Sequence, residues 1–176
     1  MEALVARMDL LLAIGHRTRA GSTPALPHHS ITGNDNMGKR IGFYHEMRIM
    51  LHLLKLEFVV SKPQGDYSPY DLISDWNGKI NRLQIKSTSR SSGTKNRGYK
   101  VICCKGRDAK IKLTKKDCDF IVITCLENVN YIIPIEVIFG KTIYVHPHYP
   151  YKENSPYDRL QEPKFEIYRE KWDLLK

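Results

Sequence analysis

The sequence predicts an α/β fold, a mixed sheet with an N-terminal helix and a C-terminal helix. Three observations predict it. Apolar residues recur at helical spacing from position 38, short β-branched runs separated by turn residues come next, and the chain ends in "PKFEIYREKWDLLK", which is typical of a helix or a strand and helix. No internal repeat is present, so we expect one core.

The first element is a helix from about Gly38 to Leu56, in the segment "GKRIGFYHEMRIMLHLLKLEF". Four apolar side chains in it follow i, i+3, i+7, i+10 spacing, which predicts one buried stripe. The stripe consists of Tyr44, Met47, Leu51 and Leu54, and is widened by Met50 and Leu53.

The strands come after this helix. "EFVVSKP" is a short β-branched run that ends at a proline, and "YDLISD" and "KINRLQIKSTS" flank Asn77-Gly78, the strongest short-range hairpin signal. Three further strands are predicted in "GYKVICCK", "CDFIVITCLE" and "NVNYIIPIEVI", and "GKTIYVHP" adds an edge strand. We therefore expect a mostly antiparallel run of strands.

Composition narrows the class of protein. With 176 residues, 41% of them hydrophobic and 27% charged, the chain is long enough for a globular domain with a real core. The net charge is +9, and the segment from Lys79 to Lys116 holds thirteen Lys or Arg against one acid, Asp108. Such a segment is either a solvated basic surface or, with its interspersed Ser and Thr hydroxyls, a binding site for a phosphate backbone.

Cysteine spacing and apolar run lengths indicate the compartment. The four cysteines show no C-x-x-C spacing, which predicts reduced core residues rather than a zinc site. The run "DLLLAIG" is too short to span a bilayer and makes a poor signal peptide. We expect no membrane partner and a cytoplasmic location in a bacterium.

The chain is predicted to divide near position 36. Residues 1–36 share no pattern with the rest of the chain and contain the linker-like "RAGSTPALPHHS", so we expect a poorly structured extension before a domain over residues 37–176. The codons for Gly21 to Pro24 and for Ala3 to Arg7 can spell the T-arm and D-arm of a transfer RNA gene. The extension would then be a translated piece of a neighbouring gene.

Four polar residues form the candidate site. Alternation along a strand points Gln84 and Lys86 of "RLQIKS" to one face, and the hairpin brings Asp71 near them. Glu46 on the helix can complete the group. Each residue alone is more often a solvated helix, turn or strand residue, and Asp66 is a rival to Asp71, but the joint pattern is hard to obtain by chance.

These residues carry a resemblance. The order of a helix with Glu46, then "GDYSPYD", then "LQIKSTS" resembles the PD-(D/E)xK nuclease superfamily, with its restriction-endonuclease-like core. The Q-x-K variant in a small basic chain is similar to the homing endonucleases encoded by cyanobacterial group I introns in transfer RNA genes. The sequence departs from the motif of this superfamily at two positions. Tyr70 separates Pro69 from Asp71, which are adjacent in the motif, and Gln84 replaces the second carboxylate.

The resemblance implies a catalytic site and a cofactor. The catalytic residues would be Glu46, Asp71, Gln84 and Lys86, with Mg²⁺, or Mn²⁺ as a substitute, as the cofactor. Its ligands would be Asp71, the Gln84 amide oxygen, the Ile85 backbone carbonyl and Glu46, the last directly or through water. Lys86 would orient the water and the scissile phosphate, or act as the base.

The resemblance and the basic segment together predict DNA contacts. The expected residues are Ser87, Thr88, Ser89, Arg90, Lys95, Arg97, Tyr99, Lys100, Arg107, Lys110 and Lys112, with Lys115 and Lys116 beside them. A small chain reads a long site only as several copies, so we expect a homo-oligomer, a dimer or a dimer of dimers, on double-stranded DNA.

The predicted function is a metal-dependent, site-specific double-stranded DNA endonuclease that cleaves an intronless transfer RNA gene to mobilise its group I intron. Two alternatives stay open. One is a structure-specific nuclease of the Holliday junction resolvase type, or a restriction enzyme, on the same core. The other is a DNA-binding module that has lost catalysis, with Gln84 as the trace of that loss.

Overall fold

The structure is a computed structural model that describes residues 33–65, 67–88, 91–92, 98–106, 109–125, 129–149 and 163–176. Contacts divide the chain into two units, Met1–Gly33 and Asn34–Lys176. Nearly all described residues belong to the second unit. Of the expectation for residues 1–36, the part over 1–32 lies outside the described residues.

The described residues contain one α-helix, ten strands and three short 3₁₀ turns. The helix α1 spans Gly33–Lys55. The strands are β1 (Val59–Ser61), β2 (Leu72–Trp76), β3 (Lys79–Thr88), β4 (Ser91–Ser92), β5 (Gly98–Ile102), β6 (Cys104–Lys105), β7 (Ile111–Lys112), β8 (Phe120–Cys125), β9 (Val129–Pro134) and β10 (Thr142–Val145). No described helix is long and apolar enough to cross a membrane.

The described strands form three sheets, and the largest is mixed. Its order is β1-β2-β3-β8-β9, with β3 and β8 parallel and the other neighbours antiparallel. A three-stranded sheet, β10-β5-β4, and a two-stranded β6-β7 sheet are built from the segment that crosses from β3 to β8 and from the chain after β9. The α/β class and the mixed sheet are confirmed, and β10 is an edge strand, as predicted.

The Asn-Gly hairpin between β2 and β3 is also confirmed. Asn77 and Gly78 have φ of 51° and 87°, the left-handed values that this turn requires. The Gly78 N–H donates to the Asp75 carboxylate at 2.8 Å. The resulting register pairs Leu72 with Leu83, which sets the position of the residue just before β2.

The segment "GYKVICCK", predicted to be one strand, forms two. The chain leaves the three-stranded sheet at Cys103, whose N–H donates to the Lys141 carbonyl at 2.8 Å and whose own carbonyl accepts from Leu113 N–H at 3.1 Å. Because each of these bonds goes to a different segment, β5 ends at Ile102 and β6 begins at Cys104. All four cysteines are free and buried.

The core lies on both faces of the five-stranded sheet. On one face α1 and the last residues of the chain pack through Ile49, Leu53, Phe58, Leu72, Leu83, Ile85, Val122, Ile132, Trp172 and Leu175. On the other face the three-stranded sheet packs against Ile121, Ile123 and Ile133. Successive residues of β8 alternate between the two clusters, as expected for a strand buried on both sides.

The prediction of which side of α1 is buried is wrong. Leu53 is fully buried and Ile49 nearly so, whereas Tyr44, Leu51 and Leu54 are 45%, 59% and 46% exposed. The helix carries apolar residues around most of its circumference, so periodicity alone allows two orientations. Packing against the sheet selects the orientation that buries Ile49 and Leu53.

The helix also begins earlier than predicted. The predicted N-terminal extension includes Gly33 to Asn36, yet α1 starts at Gly33. Each poor helix former at the end of a helix lowers the stability of that helix by about 1 kcal/mol or less, and extending an existing helix needs no new nucleus. The helix can therefore include Gly33 to Asn36.

The predicted C-terminal helix is replaced by two 3₁₀ turns, Glu166–Tyr168 and Trp172–Leu175. Between them Arg169 makes a β-bridge to Tyr131 of β9, and Glu170 takes a φ of 51°. The Glu170 N–H donates to the Asn130 carbonyl at 2.9 Å, and its carboxylate accepts the Asn130 N–H at 2.6 Å. Hydrogen bonds to β9 thus replace the intrahelical hydrogen bonds that the local sequence pattern favours.

The parallel pair β3–β8 is held at its start by Asp119 and Arg82. The Arg82 backbone N–H and guanidinium both donate to the Asp119 carboxylate, at 2.8 and 3.0 Å, and the Asp119 N–H donates to the Arg82 carbonyl at 2.8 Å. Burial raises the pKa of the Asp119 carboxyl, but the hydrogen bonds from Arg82 outweigh it and leave that pKa below its usual range.

We predict that Asp119→Asn lowers the free energy of unfolding at neutral pH by roughly 1–2 kcal/mol, since a charge-assisted network is lost. Because the pKa of Asp119 is depressed on folding, its contribution is present above the unfolded pKa of about 4 and is lost as the pH falls through the folded pKa. Urea titrations of both proteins at pH 7 and pH 3 should therefore show a gap that shrinks in acid. A gap of equal size at both values would contradict the assignment.

Candidate active site

An open cleft of about 630 Å³ lies at the start of β2 and the middle of β3. Asp71, Gln84 and Lys86 are on its floor. Its walls consist of Glu46 of α1, most of the described residues of the 62–70 segment, and Cys104, Lys105, Gly106 and Ile111. The structure therefore brings all four predicted catalytic side chains to one cavity.

Asp71 precedes β2 and joins it to β3. Its N–H donates to the Leu83 carbonyl at 2.8 Å, and its Oδ2 accepts the Ile85 N–H at 2.6 Å. One residue thus uses its backbone and its side chain to bind two positions of the neighbouring strand. This fixes the carboxylate at the point where β3 enters the core.

Gln84 completes the floor beside Asp71. Its Nε2 lies 2.5 Å from Asp71 Oδ2 and 3.5 Å from the Ile85 carbonyl oxygen. The partial positive charge of the amide N–H₂ thus lies between two oxygens, where it satisfies both. If the amide is turned round, its oxygen faces the same carboxylate, an arrangement that only a cation between them would stabilise.

This donor set fits a hard divalent cation. A carboxylate, an amide oxygen and a backbone carbonyl are all oxygen ligands, and Mg²⁺ binds one or two protein carboxylates while it keeps several waters. The described residues contain no cluster of three His, Cys, Asp or Glu side chains. The floor of the cleft forms no such cluster, because two of its three oxygen donors come from a glutamine and a main-chain carbonyl.

Glu46 reaches the cleft from α1 and is ion-paired to Lys62, the residue that comes directly after β1. The two carboxylates interact. Burial raises the pKa of Asp71, the Ile85 N–H opposes that rise, and the negative charge of Glu46 adds to it. The charges of Lys86 and Lys62 act in the opposite direction.

Lys86 is half-buried on β3, two residues beyond Gln84 and on the same face. No hydrogen bond or ion pair to Lys86 is present within the described part of the chain, so its ammonium points into a cavity that already contains two carboxylates. A cation in that position can bind a phosphate or an attacking water.

The predicted DNA-binding residues are only partly placed. Ser87 and Lys100 are exposed, the Thr88 hydroxyl donates to the Lys100 carbonyl at 3.2 Å, and Lys110 donates to the Gly106 carbonyl at 3.0 Å. Further basic residues on the same crossing segment are Lys112, half-buried, and Lys115 and Lys116, both exposed.

Tyr99 and Lys115 make contacts inside the protein. Tyr99 is 6% exposed within the three-stranded sheet, and its hydroxyl lies 3.1 Å from His148 Nε2. Lys115 pairs with Asp119 at 3.3 Å and with Glu136 at 3.0 Å. The remaining predicted contacts, together with the rival metal ligand Asp66, lie outside the described residues: Ser89, Arg90, Lys95, Arg97 and Arg107.

Lys62 was missed by the sequence analysis. A signal was available, because the strand predicted in "EFVVSKP" ends at Pro63, the residue after this lysine. The register of β1 on β2 pairs Ser61 with Ile73, so the next residue approaches the end of β2 that carries Asp71. Only the strand order shows that β1 neighbours β2 rather than another strand.

The chain is similar to known nucleases. The family profile described as PD-(D/E)XK endonuclease matches residues 37–162. The solved structure of a bacterial homing endonuclease, I-Ssp6803I, is similar, with a TM-score of 0.63 and 26% sequence identity. The similarity covers 81% of this chain and 93% of the homing endonuclease. MepB is similar at 18% identity over 62% of this chain and 85% of the other, but with a TM-score of 0.38 it supports no conclusion. No curated protein matches.

We predict that Gln84→Glu destabilises the metal-free protein by roughly 1–3 kcal/mol, because a second carboxylate replaces the amide donor beside Asp71 Oδ2. Addition of Mg²⁺ or Mn²⁺ should restore much of that stability. Thermal unfolding with and without the cation measures both effects.

The control for this prediction is Gln84→Leu, which removes the donor without adding charge. It should lose stability but gain none from the cation. If Gln84→Glu is equally stable with and without divalent cations, Gln84 does not face a cation site.

Proposed function

Since this chain belongs to the PD-(D/E)XK endonuclease family, we propose that it is a metal-dependent, site-specific endonuclease of double-stranded DNA, of the homing type. The observation that carries the proposal is the floor of the cleft, where Asp71 Oδ2, the Gln84 amide and the Ile85 carbonyl meet. Glu46 and Lys86 line the same cavity. The predicted resemblance to PD-(D/E)xK nucleases, and to homing endonucleases among them, is confirmed.

The proposed ligands are Asp71, Gln84, the Ile85 carbonyl and Glu46, with Mg²⁺ as the physiological ion and Mn²⁺ as a substitute. When bound, the ion supplies Lewis-acid stabilisation of charge on the phosphate and lowers the pKa of a water. Asp71 contributes the fixed carboxylate, because two hydrogen bonds to β3 already set its position. Gln84 contributes a neutral oxygen, which leaves the site with one fewer negative charge than a site with two carboxylates on its strands.

Lys86 contributes the ammonium that orients the scissile phosphate and the attacking water. Its position two residues after Gln84 on one strand keeps the distance between ligand and ammonium constant, since side chains on one face of a strand repeat every second residue. The alternative role proposed for the same nitrogen is that of the general base.

The substrate proposal rests on charge. The segment that crosses from β3 to β8 is basic, and its exposed described lysines flank the cleft-lining hairpin β6–β7. Lys and Ser or Thr donors bind phosphate oxygens without regard to sequence, so these residues would hold the duplex while others select the site.

The proposed target is an intronless transfer RNA gene, with mobilisation of a group I intron as the outcome. Two observations support it. The similar structure of 26% identity is described as a bacterial homing endonuclease, and the codons of the first 36 residues can spell arms of a transfer RNA gene. The first observation supports the homing type of endonuclease, and only the second points to a transfer RNA gene.

We propose that two copies of this chain act together, because both DNA strands must be cut and the described part of the chain provides one such cleft. The exposed side of α1 supplies a surface for the second copy. Ile41, Tyr44, Leu51 and Leu54 are 47%, 45%, 59% and 46% exposed on it. At roughly 100 Å² each, they account for about half of the roughly 800 Å² that each partner buries in a standard interface.

The catalytic prediction concerns Asp71 and Lys86. In Mg²⁺, Asp71→Ala and Lys86→Ala should each reduce cleavage of a plasmid that carries an intronless transfer RNA gene by at least roughly 10²–10⁴-fold. DNA binding in a gel-shift assay should persist. Lys79→Ala removes an ammonium from the other end of the same strand and serves as the matched control.

Three outcomes would change the assignment. Cleavage by both alanine variants would contradict the site, binding without cleavage by the wild type would favour a DNA-binding module, and preferred cleavage of four-way junctions would favour a structure-specific nuclease. Omission of Mg²⁺ and Mn²⁺ should abolish wild-type cleavage.

The interface prediction concerns Leu51. Leu51→Glu places a charge on the exposed side of α1 and should convert a dimer to a monomer in sedimentation velocity, with little change in the free energy of unfolding because the site is solvated. Ile80→Glu is the control, since Ile80 is 63% exposed on β3, away from α1. A wild type that is monomeric at concentrations where it cuts both strands would contradict the proposal.

A further inference from the structure

Lys62 is a second ammonium at the candidate active site, in addition to Lys86. It is ion-paired with Glu46 Oε2, and its Nζ lies 5.0 Å from the centre of the Phe43 ring. The side chains of Lys62 and Glu46 are 32% and 23% exposed. Both line the cleft that contains Asp71.

The charges of the cleft balance without any metal. Glu46 and Asp71 supply two negative charges, and Lys62 and Lys86 supply two positive ones. The other lysine on the cleft wall, Lys105, is already paired with the buried Asp117. A divalent cation on the floor therefore gives this cavity an excess of positive charge, which suits a phosphodiester but places Lys62 near a like charge.

We propose that Lys62 and the divalent cation compete for the Glu46 carboxylate, and that entry of the cation releases Lys62 to bind a phosphate of the DNA. This inference rests on the proposed function, because it takes Glu46 as one of the ligands. It goes further by assigning to Lys62 a role in metal affinity and in the coupling of metal and DNA binding.

The physical reason is that two cations at one carboxylate repel each other. An ammonium in hydrogen-bond contact with Glu46 Oε2 repels a dication that approaches the same carboxylate, so each of the two weakens the binding of the other. In the metal-free protein Lys62 takes the place of the cation at Glu46, as the Gln84 amide does at Asp71. The floor and the wall of the cleft are thus both neutralised before metal enters.

Release of Lys62 costs the protein little. Its side chain is one-third exposed and lysine has a flexible four-carbon stem, so the ammonium can turn into the cleft without moving β1. A phosphate bound over the floor would lie in the same cavity as Lys62. Lysine binds phosphate as a point charge and needs no fixed geometry for that contact.

The first experiment measures Mn²⁺ binding to the full chain without DNA, by calorimetry. Lys62→Met should bind Mn²⁺ about tenfold more tightly than the wild type, and Lys62→Arg, which keeps the charge, should stay close to it. Unchanged or weaker binding by Lys62→Met would overturn the competition. In a Glu46→Gln background the Lys62→Met change should no longer tighten Mn²⁺ binding, and equal tightening there would also overturn it.

The second experiment measures the affinity for a 30-base-pair duplex in Ca²⁺ and in EDTA, at one ionic strength. In Ca²⁺, Lys62→Met should bind the duplex about three- to tenfold more weakly than the wild type. In EDTA the two affinities should agree within twofold, because Lys62 is held by Glu46 when no metal is present. An equal loss of DNA affinity in both buffers would contradict the proposal, because Lys62 would then bind DNA without release from Glu46.

These outcomes separate this inference from the proposed function. A wild type that binds no Mn²⁺ overturns both, whereas normal wild-type binding with no effect of Lys62→Met overturns the role of Lys62 alone. Urea unfolding of each variant identifies any loss of fold, and Lys62→Gln, which can still donate to Glu46, supplies a second measurement if Lys62→Met is unstable.

Discussion

The geometry of the candidate active site depends on one hydrogen bond, from the Ile85 N–H to Asp71 Oδ2. It joins the residue before β2 to the centre of β3, and it does so with the carboxylate that we propose as a metal ligand. Because Ile85 is also a core residue, the site is tied to the packing of α1 on the sheet. A carboxylate held in this way needs no reorganisation to receive a ligand.

The second constraint is charge. Two carboxylates lie close together in a partly buried cleft, an arrangement that would be unfavourable alone, and each has a positively polarised partner. The Gln84 amide serves Asp71 and the Lys62 ammonium serves Glu46. Glutamine in place of the second carboxylate is consistent with this balance, since a glutamate there would put three carboxylates against the two ammonium groups of Lys62 and Lys86.

Much of the fold could be predicted because it depends on local periodicity. The Asn77-Gly78 turn requires left-handed backbone angles that few other residue pairs adopt, so the β2–β3 hairpin and its register were accessible. Strand alternation then placed Gln84 and Lys86 on one face. The C-terminal segment could not be predicted in the same way, because Glu170 leaves the helical conformation to bond with Asn130, forty residues away in sequence.

By itself the sequence determined the class of the fold, the family resemblance and the group Glu46, Asp71, Gln84 and Lys86, since these depend on residue type and on short spacings along strands. Tertiary structure alone decided which side of α1 is buried and that Lys62 reaches Glu46. The helix has apolar residues on most sides, and the lysine becomes a neighbour only through the order of strands. Both outcomes depend on contacts between distant segments, which local patterns do not encode.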